Sequence, residues 1–260
     1  MEEGETVVLG DGGEGSEAVI SHRGGTVVAW KPASATGSVF FQQQQIAING
    51  ELKTRGGLHL CFPNFGPVPE SFGLPQHGPL RNLAAKEICK SGGESVELIF
   101  LGGGMLGALN TECEVSVEVC NAKPNAPDYL MWMRLLKPPQ KEVWVTPGFH
   151  PYFRTPKGSA IVSAPVSRRI TADQPKIKSE RFPIRSSKGV SVIVPGCGLV
   201  KMELLGNGWG SGESEVVIWR DHPAYLCVEP IVEGRMGSTG ILLTEEWKVL
   251  GVRFSFSPEE

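Results

Sequence analysis

A chain of 260 residues with 25 Lys+Arg against 28 Asp+Glu carries a formal charge of −3, which provides no large electropositive footprint for nucleic acid or anionic membrane. Its 40% hydrophobic and 20% charged residues suffice for a substantial core and exclude a disordered composition. No apolar run approaches the roughly 18–20 residues of a membrane span, and 33 glycines with 20 prolines demand many tight turns rather than long helices.

The acidic start, Met1-Glu2-Glu3-Gly4-Glu5, lacks the basic region of a secretory signal and the Arg/Ser-rich character of a transit peptide. A cytoplasmic protein is expected, with a mature organellar protein that has shed its targeting peptide as the alternative. Along the chain, apolar residues recur with a period of two. Thr26–Trp30, Ser38–Phe41 and Val96–Phe100 read as strands, followed by the alternating run Glu112–Val119 and by Tyr129–Leu136, Val143–Val145 and Ala160–Ser163. Gly189–Val194, Val200–Leu205, Val216–Trp219, Tyr225–Val228 and Val249–Ser255 complete the set. Turn clusters separate them, among them Gly102-Gly103-Gly104, Pro138-Pro139, Pro195–Gly198 and Gly206-Asn207-Gly208. No stretch sustains a helical period for three turns, and Gln42–Gln45 reads as a strand edge or loop. The pattern predicts an all-β fold, a large antiparallel sandwich forming a single domain over residues 1–260.

The cysteines, at 61, 89, 113, 120, 197 and 227, form no C-x-x-C pair and mostly lie in apolar runs. They are expected to be free thiols in a reducing compartment, not zinc ligands. The Gly196/Gly198 and Gly206/Gly208 pairs fit hairpin turns, not a dinucleotide fingerprint, since no helix follows. No metal and no cofactor is expected.

Four segments place reactive side chains among Pro, Gly and aromatic residues: Thr54–Pro67, Leu74–Asn82, Gly148–Phe153 and Trp219–Pro230. Rigid, half-desolvated surroundings move His and Glu towards the neutral-range pKa values that general acid–base chemistry uses. Glu229 is conspicuous because Leu226-Cys227-Val228-Glu229-Pro230 sets a carboxylate into an apolar strand.

These segments resemble the aldose 1-epimerase, or galactose mutarotase-like, superfamily, and within it the hexose-6-phosphate mutarotase branch. The matching motifs are Arg55–Gly57, Cys61–Gly66 (Cys-Phe-Pro-x-Phe-Gly), Gln76–Asn82 (Gln-His-Gly-x-x-Arg-Asn), His150–Phe153 (His-x-Tyr-Phe) and Cys227–Glu229 (Cys-x-Glu), in family order. The resemblance implies a β-supersandwich that interconverts the α and β anomers of an aldohexose by ring opening, without metal or nucleotide. It implies Glu229 as the base, His150 as the acid, and His77 as a hydrogen-bond partner near the ring oxygen or a sharer of the acid role. Arg55 and Arg81 would hold hydroxyls or a phosphate, Gln76 would bind the sugar, and Tyr152, Trp219 and Phe65 would offer apolar faces for the pyranose. Glu180 is the candidate for a further substrate-binding carboxylate. Several positions depart from the family pattern: Gly56-Gly57-Leu58-His59 for Gly-Gly-Ile-Pro, Pro79-Leu80 for Phe-Ala, and Trp219-Arg220-Asp221 with a short link to Glu229. A sugar phosphate and an unphosphorylated aldose both stand as substrates, for a monomer or weak dimer. The alternative is an inactive mutarotase-like carbohydrate-binding or scaffold subunit of a larger assembly, which would have no need of a buried acid–base set.

Overall fold

Alternating apolar side chains in the computed structural model build two large antiparallel sheets. Residues 6–10, 15–101, 105–106, 113–121, 128–163, 167–184, 189–209, 214–244 and 249–258 are described; Glu112 and the Gly102–Gly104 turn lie outside them. Strands are numbered in chain order. The first sheet runs β1 (Thr6–Leu9), β2 (Glu17–Ser21), β3 (Val27–Lys31), β6 (Leu58–Cys61), β12 (Gly148–Arg154), β19 (Tyr225–Val232), β18 (Ser214–Arg220), β15 (Ile177–Ile184). The second runs β14 (Arg168–Ile170), β13 (Ala160–Ser163), β16 (Val190–Val194), β17 (Gly198–Leu205), β21 (Val249–Pro258), β10 (Asp128–Lys137), β9 (Glu114–Asn121), β8 (Ser95–Leu101), β7 (Glu87–Ser91). Two small pairs, β4 (Gln44–Ile48) with β5 (Glu51–Arg55) and β11 (Val143–Val145) with β20 (Ile241–Leu243), complete the described strands. No α-helix occurs among the described residues, and none of their helices is long and apolar enough to cross a membrane.

The sheets pack face to face around one apolar core. Leu58, Leu60, Phe149, Phe153, Val216, Ile218, Leu226 and Val228 of the first sheet meet Val96, Leu98, Val117, Met131, Val252 and Phe254 of the second. Trp30 bridges them, its ring centroid 5.3 Å from Tyr129 and 6.2 Å from Phe254. Its indole N–H donates to Ser16 Oγ (3.3 Å), which in turn donates to Asn121 Oδ1 (2.7 Å), so these three buried side chains satisfy one another.

Two expectations are corrected. Ser38–Phe41 is not a strand: Phe40 makes an isolated bridge to Phe153. The hydroxyl of Ser38 replaces ladder bonds, accepting from the Trp30 amide (3.2 Å) and donating to the Phe40 carbonyl (2.8 Å). Conversely Leu58–Cys61 and Gly148–Arg154, which read as polar interruptions, are central strands. Proline is normally kept out of such positions because it cannot donate to the ladder. Between β12 and β19 the paired positions are Gly148 with Ile231 and, resuming, Tyr152 with Cys227; Pro151 and Pro230 occupy the interval.

Candidate active site

In the five strands β6, β12, β19, β18 and β15, every second residue points away from the core. There His59, His150, Tyr152, Cys227 and Glu229 are buried, while Ser179 and Arg181 of β15 remain exposed. His59 pairs directly with His150 across β6 and β12. The β12–β19 register sets Glu229 opposite His150, Glu229 pairs with Val217, and Val217 pairs with Arg181. One lateral row, His59–His150–Glu229–Val217–Arg181, thus crosses the sheet, with Tyr152, Cys227 and Trp219 forming the row beside it. Over these rows lies a cleft of about 350 Å³ lined by Arg55, Phe65, Gln76, His77, Arg81, His150, Tyr152, Arg181, Trp219 and Glu229, among others.

The opposing wall comes from the loop after β6. Asn64, fully buried, ties its two ends by donating to the carbonyls of Gly66 (2.7 Å) and Pro75 (3.4 Å). His77 and Gly78 both adopt left-handed backbone, with φ of 67° and 70°. A Cβ at Gly78 would collide with the Phe62 carbonyl, so glycine is obligatory there. The same conformation at His77 costs roughly 1–2 kcal/mol, and it aims the ring over His150, with centroids 5.1 Å apart at 74°. The Gly66 amide donates to His77 Nδ1 (3.2 Å). That leaves the neutral ring's proton on Nε2, where the Gln76 side-chain amide accepts it once its oxygen is turned toward the ring.

Arg55 ends β5 just before Gly56, which has a φ of 110° and whose added Cβ would meet the Phe41 and Gln42 carbonyls at 2.5 and 2.7 Å. Its guanidinium donates to Asp221 Oδ2 (2.8 Å) and lies 5.3 Å from the Trp219 ring centroid. Asp221 also accepts from the Tyr225 hydroxyl. The turn that carries Asp221 is held by buried Arg220, which donates to the carbonyls of Gly158 (2.7 Å), Pro223 (2.7 Å) and Thr171 (3.2 Å). Arg81 donates to the Gln76 carbonyl (3.2 Å). Arg55, Arg81 and Tyr152 also line an adjoining chamber of about 560 Å³, together with Arg23, Lys53 and His59 and with no carboxylate among its lining residues.

His150 Nε2 stands 3.5 Å from Glu229 Oε1, with 5% and 2% of the side chains exposed. Burial drives both towards their neutral forms: it pushes the His150 imidazole well below the usual histidine range, aided by His59 and His77, and the Glu229 carboxyl well above the usual carboxylate range. Burial likewise lowers His59 well below its ordinary value and His77 to about 4. Glu229 Oε1, His150 Nδ1 and His59 Nε2 are buried without a hydrogen-bond partner, an arrangement that disfavours the empty cleft and favours a ligand rich in hydroxyls. The rings of His59 (4.8 Å, 25°) and Tyr152 (4.7 Å, 9°) both pack close to parallel with that of His150 and lie 6.0 Å from each other, restricting the imidazole plane. Chemically, the cleft can move protons between two buried groups and grip an anion beside them. The donor atoms of His150, Cys227 and Glu229 lie within 4.8 Å of one another and are the group suited to a metal among the described residues.

His77, His150, Glu229, Arg55, Gln76, Arg81, Tyr152, Trp219 and Phe65 therefore share one cleft. Glu180 does not. In β15 it faces opposite to Ser179 and Arg181, which line the cleft, and it pairs with Arg168 at the sandwich edge. Sequence reasoning passed over His59, Arg181, Cys227 and Asp221. The first three follow once Leu58–Cys61, Tyr225–Val232 and Ile177–Ile184 are read with a period of two; Asp221 follows Trp219 at that same spacing.

With this geometry in place, solved structures identify the fold. The galactose mutarotase related enzyme from Lactobacillus acidophilus superposes with a TM-score of 0.70 at 16% identity, covering 97% of both chains. A galactose mutarotase-like protein from Lactobacillus casei ATCC 334 does so at 0.67 and 12% identity, covering 97% of this chain and all of the other. The fold is that of the galactose mutarotase-like proteins, as the motifs led us to expect. Among curated proteins, the chain is 36% identical over 67 residues to the "Putative glucose-6-phosphate 1-epimerase" of Escherichia coli (strain K12). That match spans 26% of this chain and 22% of the relative. No family model matches the chain.

Proposed function

We propose that the protein is a mutarotase that interconverts the α and β anomers of a hexose 6-phosphate by acid–base ring opening. The observation that carries this is the buried His150–Glu229 pair, 3.5 Å apart at the floor of a polar cleft. In the opening step Glu229, as carboxylate, takes the anomeric hydroxyl proton while His150, as imidazolium, protonates the ring oxygen. The C1–O5 bond breaks with its electrons going to the ring oxygen, and C1 becomes the aldehyde. Rotation about C1–C2 presents the other carbonyl face, and the reverse transfers close the ring, restoring both groups. The resting neutral pair and this working pair hold the same number of protons and differ by one transfer between adjacent groups, so the site needs no outside acid or base. His77 Nε2–H is placed to donate to the sugar, and Tyr152 and Trp219 offer it apolar faces.

Arg55 and Arg81 stand where the cleft joins the cationic chamber, and this supports a phosphate there; a charge-assisted contact contributes about 1.5–3 kcal/mol. The reading is tested by exchange NMR on α-glucose 6-phosphate, glucose and galactose with the wild type and Arg81→Ala. Anomerisation above the spontaneous rate is expected, with KM raised in the variant by roughly tenfold or more for the phosphate ester alone. Equal effects on ester and free sugar would remove the phosphate assignment. Catalysis of none of the three would leave the scaffold reading.

A further inference from the structure

Cys227 has no part in the proposed proton transfer, yet it lies two residues from Glu229 on the same face of β19 and directly opposite both Tyr152 and Trp219. Thiol, imidazole and carboxylate are the three ligand types that zinc-class ions combine, and a tetrahedral site with bonds of about 2.0–2.3 Å puts its donor atoms about 3.3–3.8 Å apart. The 3.5 Å between His150 Nε2 and Glu229 Oε1 is already such an edge. The other separations, none above 4.8 Å, close with side-chain adjustments of about 1 Å or less. Independently, Glu229 Oε1 is buried and without a hydrogen-bond partner, so a cation there would satisfy an atom the protein leaves unpaired. His150 and Glu229 line the cleft, which provides the entry path and leaves the fourth ligand position to water.

We propose that His150, Cys227 and Glu229 form a reversible site for a zinc-class divalent cation, and that its occupation shuts the enzyme off. On binding, the Cys227 thiol proton and any proton on Glu229 pass to solvent, and the metal takes the lone pairs that would otherwise receive substrate protons. The inhibitory half of this inference rests on the mutarotase reading; the binding half does not.

The test uses the reduced, chelator-free full chain. One equivalent of Co²⁺ is expected to give thiolate charge-transfer and tetrahedral d–d absorption, retained in Cys61→Ser, whose thiol sits apart beside His77, and lost in Cys227→Ser. Zn²⁺ is expected to stop anomerisation and EDTA to restore it. Cys227→Ser should need more than about 100-fold more zinc than the wild type to halve its own zinc-free rate, because even losing a ligand's hydrogen-bond partner costs 10–100-fold. Should that variant fail to fold, Glu229→Gln titrated with Co²⁺ must show at least about tenfold weaker binding. The site is refuted by the absence of a cobalt band in the wild type, by a band that survives Cys227→Ser, or by equal zinc sensitivity of the two. If the metal-free protein anomerises no sugar, the mutarotase reading fails, and the cobalt band alone decides the site.

Discussion

The two large sheets are built from the same apolar alternation and differ in what covers their outer faces. On the second sheet the outward residues form a solvated mosaic: Arg134 reaches Glu97 (3.8 Å) and Glu118, and Glu203 reaches Lys201 (2.6 Å) and Arg253 (3.6 Å). On the first sheet β6 and β19 are buried at every position and β12 at every one but Arg154, although their outward residues are His59, His150, Tyr152, Cys227 and Glu229. A carboxylate on the second sheet exchanges water for a neighbouring cation and little changes. Glu229 Oε1 is buried with no hydrogen-bond partner from the protein, and its protonation becomes a chemical resource. Polarity on a face that solvent does not reach is what separates a site from a surface.

The sharpest way to break this contrast is to remove one carboxylate from each face. Glu229→Gln keeps shape but removes the proton acceptor, so kcat should fall by roughly 10²–10⁴ with KM little changed. The pH profile of the wild type should be a broad plateau. Because His150 is held below its usual range, the pair takes up a second proton, and activity falls, only on the acid side of an ordinary histidine titration. Because Glu229 is held above its usual range, the last proton leaves, and activity falls again, only well above an ordinary carboxylate titration. A single titration near pH 6.5 in kcat would contradict the coupled pair. Next in size, the two faces of one strand should separate stability from function. Phe153→Ala opens the core and should cost about 3–5 kcal/mol in denaturant unfolding. Tyr152→Phe, one residue away on the cleft face, should leave unfolding nearly unchanged and act on KM. Smallest of all, Glu203→Gln on the solvated face should shift stability by less than about 1 kcal/mol and leave turnover alone.

How far the sequence could be read follows the same division. Ala160–Ser163 is β13 with the boundaries its alternation predicts, and Tyr129–Leu136 falls short of β10 by one residue at each end. The second sheet, half solvated, writes its pattern openly. The first shows it in part, at Thr26–Trp30, Val216–Trp219 and Tyr225–Val228, and hides it in β6 and β12, which carry His where a solvated strand would carry Lys or Thr, while Pro151 and Pro230 contradict the rule for central strands. The residues of the cleft were legible through short motifs, some in turns, as Gln76–Gly78, and some in central strands, as His150–Phe153 and Cys227–Glu229. Glu180 was not, because a position in a strand is defined only to within the face it occupies, and one residue of slip exchanges cleft for edge. The position of Asp221 follows from the period of two after Trp219, but its role, holding Arg55, was not readable because it joins positions 166 residues apart.

That separation has a consequence for how the protein comes into being. The row His59–His150–Glu229–Arg181 is assembled from four stretches of chain that meet only when the first sheet is complete. Loop closure over such spans is slow, of the order of milliseconds to seconds for β architectures dominated by non-local pairing. On the ribosome, a nascent chain lacking Tyr225–Val232 would have His59 and His150 side by side and no carboxylate between β12 and β18. On the proposed mutarotase reading, turnover would begin only after the last strand of the row has threaded between its neighbours, and activity would serve as a clock for that closing step of folding.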